Sequence, residues 1–296
     1  MNRLIKKKST ILDIASNDGT FLSKFNKFGW NLYGVDPAAN LEELSKAKGV
    51  KTYVKFFGNE EVNFGTKFDV ITALNVFAHV PSPLDFLLEC KKHLHKNGII
   101  LIQTSQRDMV HRRQFDTVYH EHISFYSTKS MMAICERAGL FLNDVKLPDI
   151  HGGSYTFYIS NENKINESVT SRLAKEEALG VYNKETYIKY QDDISSLSSK
   201  VKSNFKNKKL VAFGAAAKGV VALHSLGLSP EYIIDENVLK IGKYLPKKNI
   251  PIVDIKYLAH EKENLDIIIL PWNFKKEISK KIQKIRGDRD NIICIF

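Results

Sequence analysis

Two series of short apolar runs, each alternating with helical segments, flank a polar stretch at 161–209, and no other feature constrains the fold of this 296-residue chain as strongly. In the first series, residues 10–15, 30–35, 50–54, 68–74 and 99–103 read as buried strands, and 20–28, 41–48, 84–94 and 130–138 as helices. Short apolar runs separated by helical periodicity are what parallel βαβ units require, because each crossover must carry the chain back along the sheet. Residues 155–160 alternate as an edge or antiparallel strand does. The second series places strands at 210–213, 232–234, 250–253, 267–270 and 291–295, with helices from 216 and over 274–285. Between the two, 161–209 is nearly free of Gly and Pro, and Leu173, Val181, Tyr187, Ile188, Ile194, Leu197 and Val201 follow one helix face, with a break near Gly180. The spacing therefore predicts an α/β layer over 1–160, a helical linker over 161–209 and a second, smaller α/β layer over 210–296.

A hydrophobic content of 43% and a charged content of 26% are those of a globular protein. No apolar run approaches the roughly 20 residues that span a bilayer. The basic start, 1–8, reaches Asp13 before a signal-peptide core can form, so the expectation is a cytoplasmic protein with no membrane partner. Cys90, Cys135 and Cys294 lie far apart, which excludes a four-cysteine zinc knot in this chain and argues against a disulfide framework. A net charge of +11 favours an anionic partner. The lysines are dispersed and no recognition-helix, zinc-finger or RNA-binding signature occurs, so a nucleotide-linked small molecule is expected rather than nucleic acid.

In Asp13-Ile-Ala-Ser-Asn-Asp-Gly19 a strand runs straight into a turn and a helix, bringing backbone N–H groups close to a ligand. No GxGxxG occurs, which disfavours a nicotinamide cofactor. S-adenosylmethionine suits the segment. Either Asp13 or Asp18 is available for its ammonium, and donors around Ser16, Asn17 and Gly19 for its carboxylate. Asp36, followed by Pro37, ends the next strand about 20 residues on, where an acid holds ribose hydroxyls. Phe56, Phe57 and Asn75 end later strands on the same edge, placed to flank an adenine.

Tyr119-His120-Glu121-His122 packs a phenol, two imidazoles and a carboxylate into four residues. Histidine titrates near neutrality and is the commonest general base, and a phenol can donate to an enolate oxygen. On an extended strand Tyr119 and Glu121 point to one side and His120 and His122 to the other, so joint action needs a twist in the backbone. Two other readings stand beside this one: a metal site of His120, His122, Glu121 and His111, which lacks HExxH spacing, and histidines satisfied within a loop. No metal is expected. His79 is either a site residue at the cofactor edge or a capping side chain. Phe213-Gly-Ala-Ala-Ala-Lys-Gly219 is no Walker A loop, yet its amides and Lys218 suit a diphosphate; the bland reading is an alanine-rich helix start. Asp235, Lys240 and Tyr244 lie in the polar loop after the next strand, Asn273 follows a later one, and His151-Gly-Gly-Ser154 is a tight turn whose donors can face a ligand or reverse the chain.

Taken in order, the segments 13–21, 34–40, 56–58, 75–81, 115–122, 151–154, 213–219, 240–246 and 270–273 resemble the sugar C-methyltransferases, enzymes that act on nucleotide-linked keto-deoxysugars. The resemblance implies a class I S-adenosylmethionine methyltransferase (Rossmann-like) domain, the helical linker and a second Rossmann-like domain that binds the sugar nucleotide. It further implies His122 as the base that removes a proton beside the keto group, Tyr119 and Glu121 as groups orienting substrate or stabilising the enolate, and His79 as a supporting acid/base. His151, Ser154, Lys218, Asp235, Lys240, Tyr244 and Asn273 become candidate substrate contacts. Members of this family usually begin with a four-cysteine zinc-binding domain. Here the first strand lies close to Met1, so closure over the cofactor calls for a separate zinc-binding lid polypeptide. Ala15 also stands where the family's cofactor loop has glycine. The competing readings are a non-catalytic nucleotide-sugar-binding remnant or subunit and an epimerase that keeps only the enolisation.

Overall fold

The computed structural model describes residues 8–105, 108–150, 153–247 and 249–296. The chain divides into two compact units, the first formed by Met1–Arg107 with Glu121–Tyr182 and the second by Asp108–His120 with Asn183–Phe296.

The first unit carries strands β1 (Thr10–Ile14), β2 (Asn31–Val35), β3 (Lys51–Tyr53), β4 (Phe68–Leu74), β5 (Leu94–Thr104), β6 (Phe141–Lys146) and β7 (Tyr155–Ser160). Its helices are α1 (Thr20–Ser23), α2 (Glu42–Ala47), α3 (Pro83–His93), α4 (Thr128–Arg137) and α5 (Glu167–Ala178). The strands form one sheet in the order β3-β2-β1-β4-β5-β7-β6, parallel through β5, with β7 antiparallel to both β5 and β6. Successive side chains of a strand face opposite ways. Leu12 and Ile14 accordingly join Ile71, Ile100 and Phe157 in one core, while Ile11 joins Leu22, Trp30, Leu32 and Val70 in another. Ser82 caps α3, with Pro83 in its first turn, and Ser127 and Ser130 form a capping box on α4. Glu176 of α5 is fully buried and accepts from Thr128 Oγ1 (2.8 Å), Tyr155 OH (2.6 Å) and Arg172 Nε (3.2 Å), tying α5 to α4 and β7.

The second unit carries α6 (Lys184–Ser203), β8 (Lys209–Phe213), α7 (Ala217–Ser225), β9 (Ile233–Ile234), β10 (Ile252–Val253), β11 (Leu265–Ile269), α8 (Lys275–Arg286) and β12 (Asn291–Cys294). Its sheet is wholly parallel, in the order β10-β9-β8-β11-β12. The chain winds outward from β8 to β10 and then crosses to β11, so the winding reverses between β8 and β11. β11 is buried along its whole length, which is why it reads as a continuous apolar run broken only by Asp266. That carboxylate accepts the backbone N–H groups of Lys206 and Lys208 and the amide of Asn291.

Three elements differ from the sequence expectation. The 161–209 stretch breaks at Gly180 (φ 67°) as expected but is no independent bridge: α5 packs on β6, and Leu197 and Val201 of α6 enter the second unit's core. The helix expected over 20–28 ends at Ser23 and continues as a 3-10 turn, Asn26–Phe28, closed by Gly29 in the left-handed region. β6 was not anticipated, because its bulge between Leu142 and Asp144 breaks the alternation. Among the described residues no helix is long and apolar enough to cross a membrane.

Candidate active site

The carboxyl ends of β1, β2 and β4 frame a cleft of about 420 Å³ in the first unit, lined by Ala15, Pro37, Phe56, Phe57, Val76, His79 and Ser82 among others. It lies where an open parallel sheet reverses its winding, here between β1 and β4. The β1 loop is held in a tight form. Ala15, Asn17 and Gly19 all have positive φ (58°, 52° and 72°), and Ala15 N–H donates to Val35 O at 2.9 Å. Glycine is required at position 19, where a Cβ would meet Val50 and Ser45 at 3.0–3.2 Å, and at 34, where it would strike Ser16 Oγ at 2.3 Å.

Asp36 closes this loop. Its carboxylate accepts from Asn17 N–H and Ala38 N–H, both at 2.9 Å, and keeps further lone pairs for a ligand. Asp13 is buried and accepts from Thr72 Oγ1 at 2.5 Å. Burial, reinforced by the charge of Asp36, pushes its carboxyl up to about 7 despite the Thr72 bond. Asp18 is different. It lies on the outside, where the hydrogen bonds from Lys48 and Thr20 hold its carboxyl at about 2. Of the two acids available for an ammonium, Asp18 is thus committed to Lys48. Asn75 sits at φ 58°, its N–H donating to Gln103 O, while its buried Oδ1 and the buried Oγ of Ser16 have no hydrogen-bond partner.

The turn after β4, Phe77–His79, receives the segment that begins at Glu121. Ala78 O accepts from Ile123 N–H (2.9 Å), and Phe77 O accepts from Tyr126 OH (3.2 Å). His79 Nδ1 lies 2.7 Å from Glu121 O. A carbonyl only accepts, so Nδ1 carries the hydrogen and Nε2 holds the lone pair in the neutral ring. The His79 and His122 rings are 5.0 Å apart. Residues 119–121 form a bend and turn rather than a strand. The division between units also falls inside the cluster, with Tyr119 and His120 counted in the second and Glu121 and His122 in the first.

In the second unit the loop after β8 repeats the construction of the loop after β1. Gly214 N–H donates to Ile234 O (2.7 Å), and Asp235, at the end of β9, accepts from Ala215 N–H and Asn237 N–H, both at 2.8 Å. Lys240 Nζ donates to Ala215 O and pairs with the same carboxylate. The glycines of Gly-Ala-Ala-Ala-Lys-Gly have a packing reason: a Cβ at Gly214 would strike Pro271 at 2.4 Å, and one at Gly219 would strike Gly214 O at 2.7 Å. Lys218 is half-buried at the start of α7, its ammonium pushed down by burial and pulled back up by Asp116. Tyr244 and Asn273 are exposed. Ser154 is fully buried and its hydroxyl donates to Ile150 O. His151 lies outside the described residues.

Sequence reasoning missed Thr72, whose pairing with Asp13 depends on β4 lying beside β1, and Ser82 of the cleft wall, visible in retrospect as the cap of a Ser-Pro helix start. Among the described residues no group of three or more His, Cys, Asp or Glu side chains could hold a metal ion.

Residues 149–296 match the family model of the C-methyltransferase C-terminal domain, and residues 1–143 match a methyltransferase domain model. The chain is 28% identical over 284 residues to the C-methyltransferase NovU of Streptomyces niveus, a match covering 90% of this chain and 67% of NovU. It is 32% identical over 153 residues to the tRNA U34 carboxymethyltransferase of Campylobacter jejuni (strain RM1221), covering 47% of this chain and 51% of that protein. The chain thus spans about two thirds of the first relative and about half of the second. A solved TehB-like SAM-dependent methyltransferase from Corynebacterium glutamicum aligns over 54% of this chain and 86% of its own, at 17% identity and a TM-score of 0.42.

Proposed function

The chain belongs to the C-methyltransferase family and takes its methyl group from S-adenosylmethionine, and on that premise we propose that it methylates a carbon of a nucleotide-linked keto-deoxysugar through a base-generated enolate. The cofactor supplies a methyl group activated by a sulfonium. The β1 cleft fits such a ligand: about 420 Å³ lies within the ordinary range for small-molecule sites and its walls are largely apolar, while Ser16 Oγ and Asn75 Oδ1, buried without partners, lie on the loops beside it rather than in its wall. Asp13, Ser16, Asn17, Gly19 and Asn75 would hold the polar end, Asp36 the ribose, and Pro37, Phe56 and Phe57 the adenine.

The observation that carries the reading is the pairing of the His79 and His122 rings at 5.0 Å, with His79 itself in the cleft wall. Forming a carbon–carbon bond requires a carbanion, so a base is needed beside the methyl donor. His122 takes the proton from the carbon next to the keto group. His79, its Nδ1 hydrogen committed to Glu121 O, fixes the backbone that presents His122 and offers Nε2 as a second proton acceptor. Tyr119 donates its phenol to the developing enolate oxygen, and Glu121 orients the substrate. Lys218, Asp235, Lys240, Tyr244 and Asn273 supply contacts for the nucleotide sugar. The repeat of the Asp36 construction at Asp235 supports a second nucleotide-type ligand. Similarity to a C-methyltransferase over 90% of the chain favours an enzyme over a non-catalytic subunit.

Methyl-labelled S-adenosylmethionine and a panel of nucleotide 4-ketosugars, followed by mass spectrometry, test the proposal. Label bound to a sugar carbon is expected. Deuterium exchange into the sugar without methylation would instead make the chain an epimerase. His122→Asn is expected to abolish methylation while calorimetry still registers cofactor binding, and normal turnover by that variant would remove His122 from the role of base.

A further inference from the structure

The segment Asp108–His120 is counted with the second unit although the chain on either side of it belongs to the first. Its centre is a 3-10 turn, Phe115–Thr117, that packs against α7. Asp116 is 1% exposed. Its Oδ2 accepts from Trp272 Nε1 at 2.9 Å, and its Oδ1 has no hydrogen-bond partner. Phe115 and Trp272 both pack on the ring of Phe296, at centroid distances of 5.8 and 5.4 Å. The Asp116 carboxyl is pushed up by burial and drawn back by the Trp272 bond and the Lys218 charge. Tyr190 of α6, its buried hydroxyl without a partner, feels the same carboxylate.

Where these groups meet is informative. Lys218 follows β8 and Trp272 follows β11, the two strands between which the winding of the second sheet reverses. A doubly wound sheet receives its ligands in the crevice at that place. Here part of it is filled by a carboxylate of the chain itself. We propose that Asp116 acts as an internal ligand of the second unit and is a positioning residue for Tyr119, three residues further along. The role assigned to Tyr119 rests on the function proposed above, whereas the anchoring of its segment does not. A buried carboxylate with an indole donor and an ammonium beside it fixes the turn in one arrangement. Residues 118–120 follow that turn directly and belong to no strand or helix, so the turn fixes where they start.

The test uses the full chain with Asp116→Asn, Asp116→Ala and Trp272→Phe. Hydrogen–deuterium exchange of peptides covering 108–122, thermal melting, and methylation kinetics on any ketosugar the wild type accepts are compared. Asp116→Asn keeps an oxygen for the indole N–H. It is expected to hold exchange within about threefold of wild type and to retain most of the turnover. Asp116→Ala and Trp272→Phe are expected to speed exchange at 115–120 at least tenfold and to lower kcat by a similar factor with KM changed less than threefold. Wild-type exchange in Asp116→Ala would overturn the proposal. So would equal damage from all three variants spread over the whole second unit, since a purely structural residue gives that result. The exchange measurement needs no substrate. Failure of every ketosugar with the wild-type chain would count against the proposed reaction, while loss or retention of protection decides the anchoring.

Discussion

Replacing Asp13 by Asn is expected to stabilise the ligand-free first unit, and to do so more strongly as pH rises. The native carboxyl is buried against Thr72 and close to Asp36, and its protonation midpoint is raised from 3.8 to about 7. Between those values the folded chain holds a proton that the unfolded chain has released. Raising pH through this window therefore works against folding, the contribution vanishing below about 4 and reaching its full size above about 7. A displacement of about three pH units corresponds to about 4 kcal/mol at 1.36 kcal/mol each. Asparagine carries no charge and its Oδ1 can still accept from Thr72 Oγ1. The variant should match the wild type near pH 4 and exceed it by up to about 4 kcal/mol at pH 8. Urea unfolding from pH 4.5 to 8, read by pulsed hydrogen exchange in peptides from β1 and β4, isolates the first unit from the second. Parallel stability profiles for the two proteins across that range would show that Asp13 is ionised in the fold and refute the reasoning.

Two further substitutions test the architecture. Ala15→Gly relieves a left-handed alanine that costs ~1–2 kcal/mol but loosens the unfolded chain by ~0.5–1, so a net gain of about 0.5–1 kcal/mol in urea unfolding is expected; a loss of stability would mean that the alanine methyl makes a compensating contact. Glu176→Ala leaves Arg172, 3% exposed, without its carboxylate and should cost about 3–5 kcal/mol, seen as a large drop in melting temperature, whereas a drop of only a degree or two would mean that water reaches the cavity.

The parallel strands of both units were readable because a buried strand needs an apolar run of the right length, as in 68–74 and 267–270. The loops at the ends of β1 and β2 were readable because an acid and a glycine at those positions do a definite geometric job. What escaped the sequence depends on partners distant along the chain. Nothing near Asp116 announces Trp272, 156 residues away. Nothing in the polar stretch after 161 says that α5 will choose β6 while α6 joins the other core. Asp13 and Asp18 are both available on paper, and the burial of one against Thr72 and the pairing of the other with Lys48 separate them. Nor does the sequence say that the Ser154 hydroxyl will donate to Ile150 O.

The indole that grips the 108–120 segment has a consequence for synthesis. At about 5–20 residues per second a ribosome needs roughly 8–30 s to travel from Asp116 to Trp272. Until α6 and α7 are made, Phe115 lacks the elements it packs on, and until Trp272 follows, Asp116 lacks its indole donor. Completion of the Tyr119 region is thus timed by the carboxyl-terminal half.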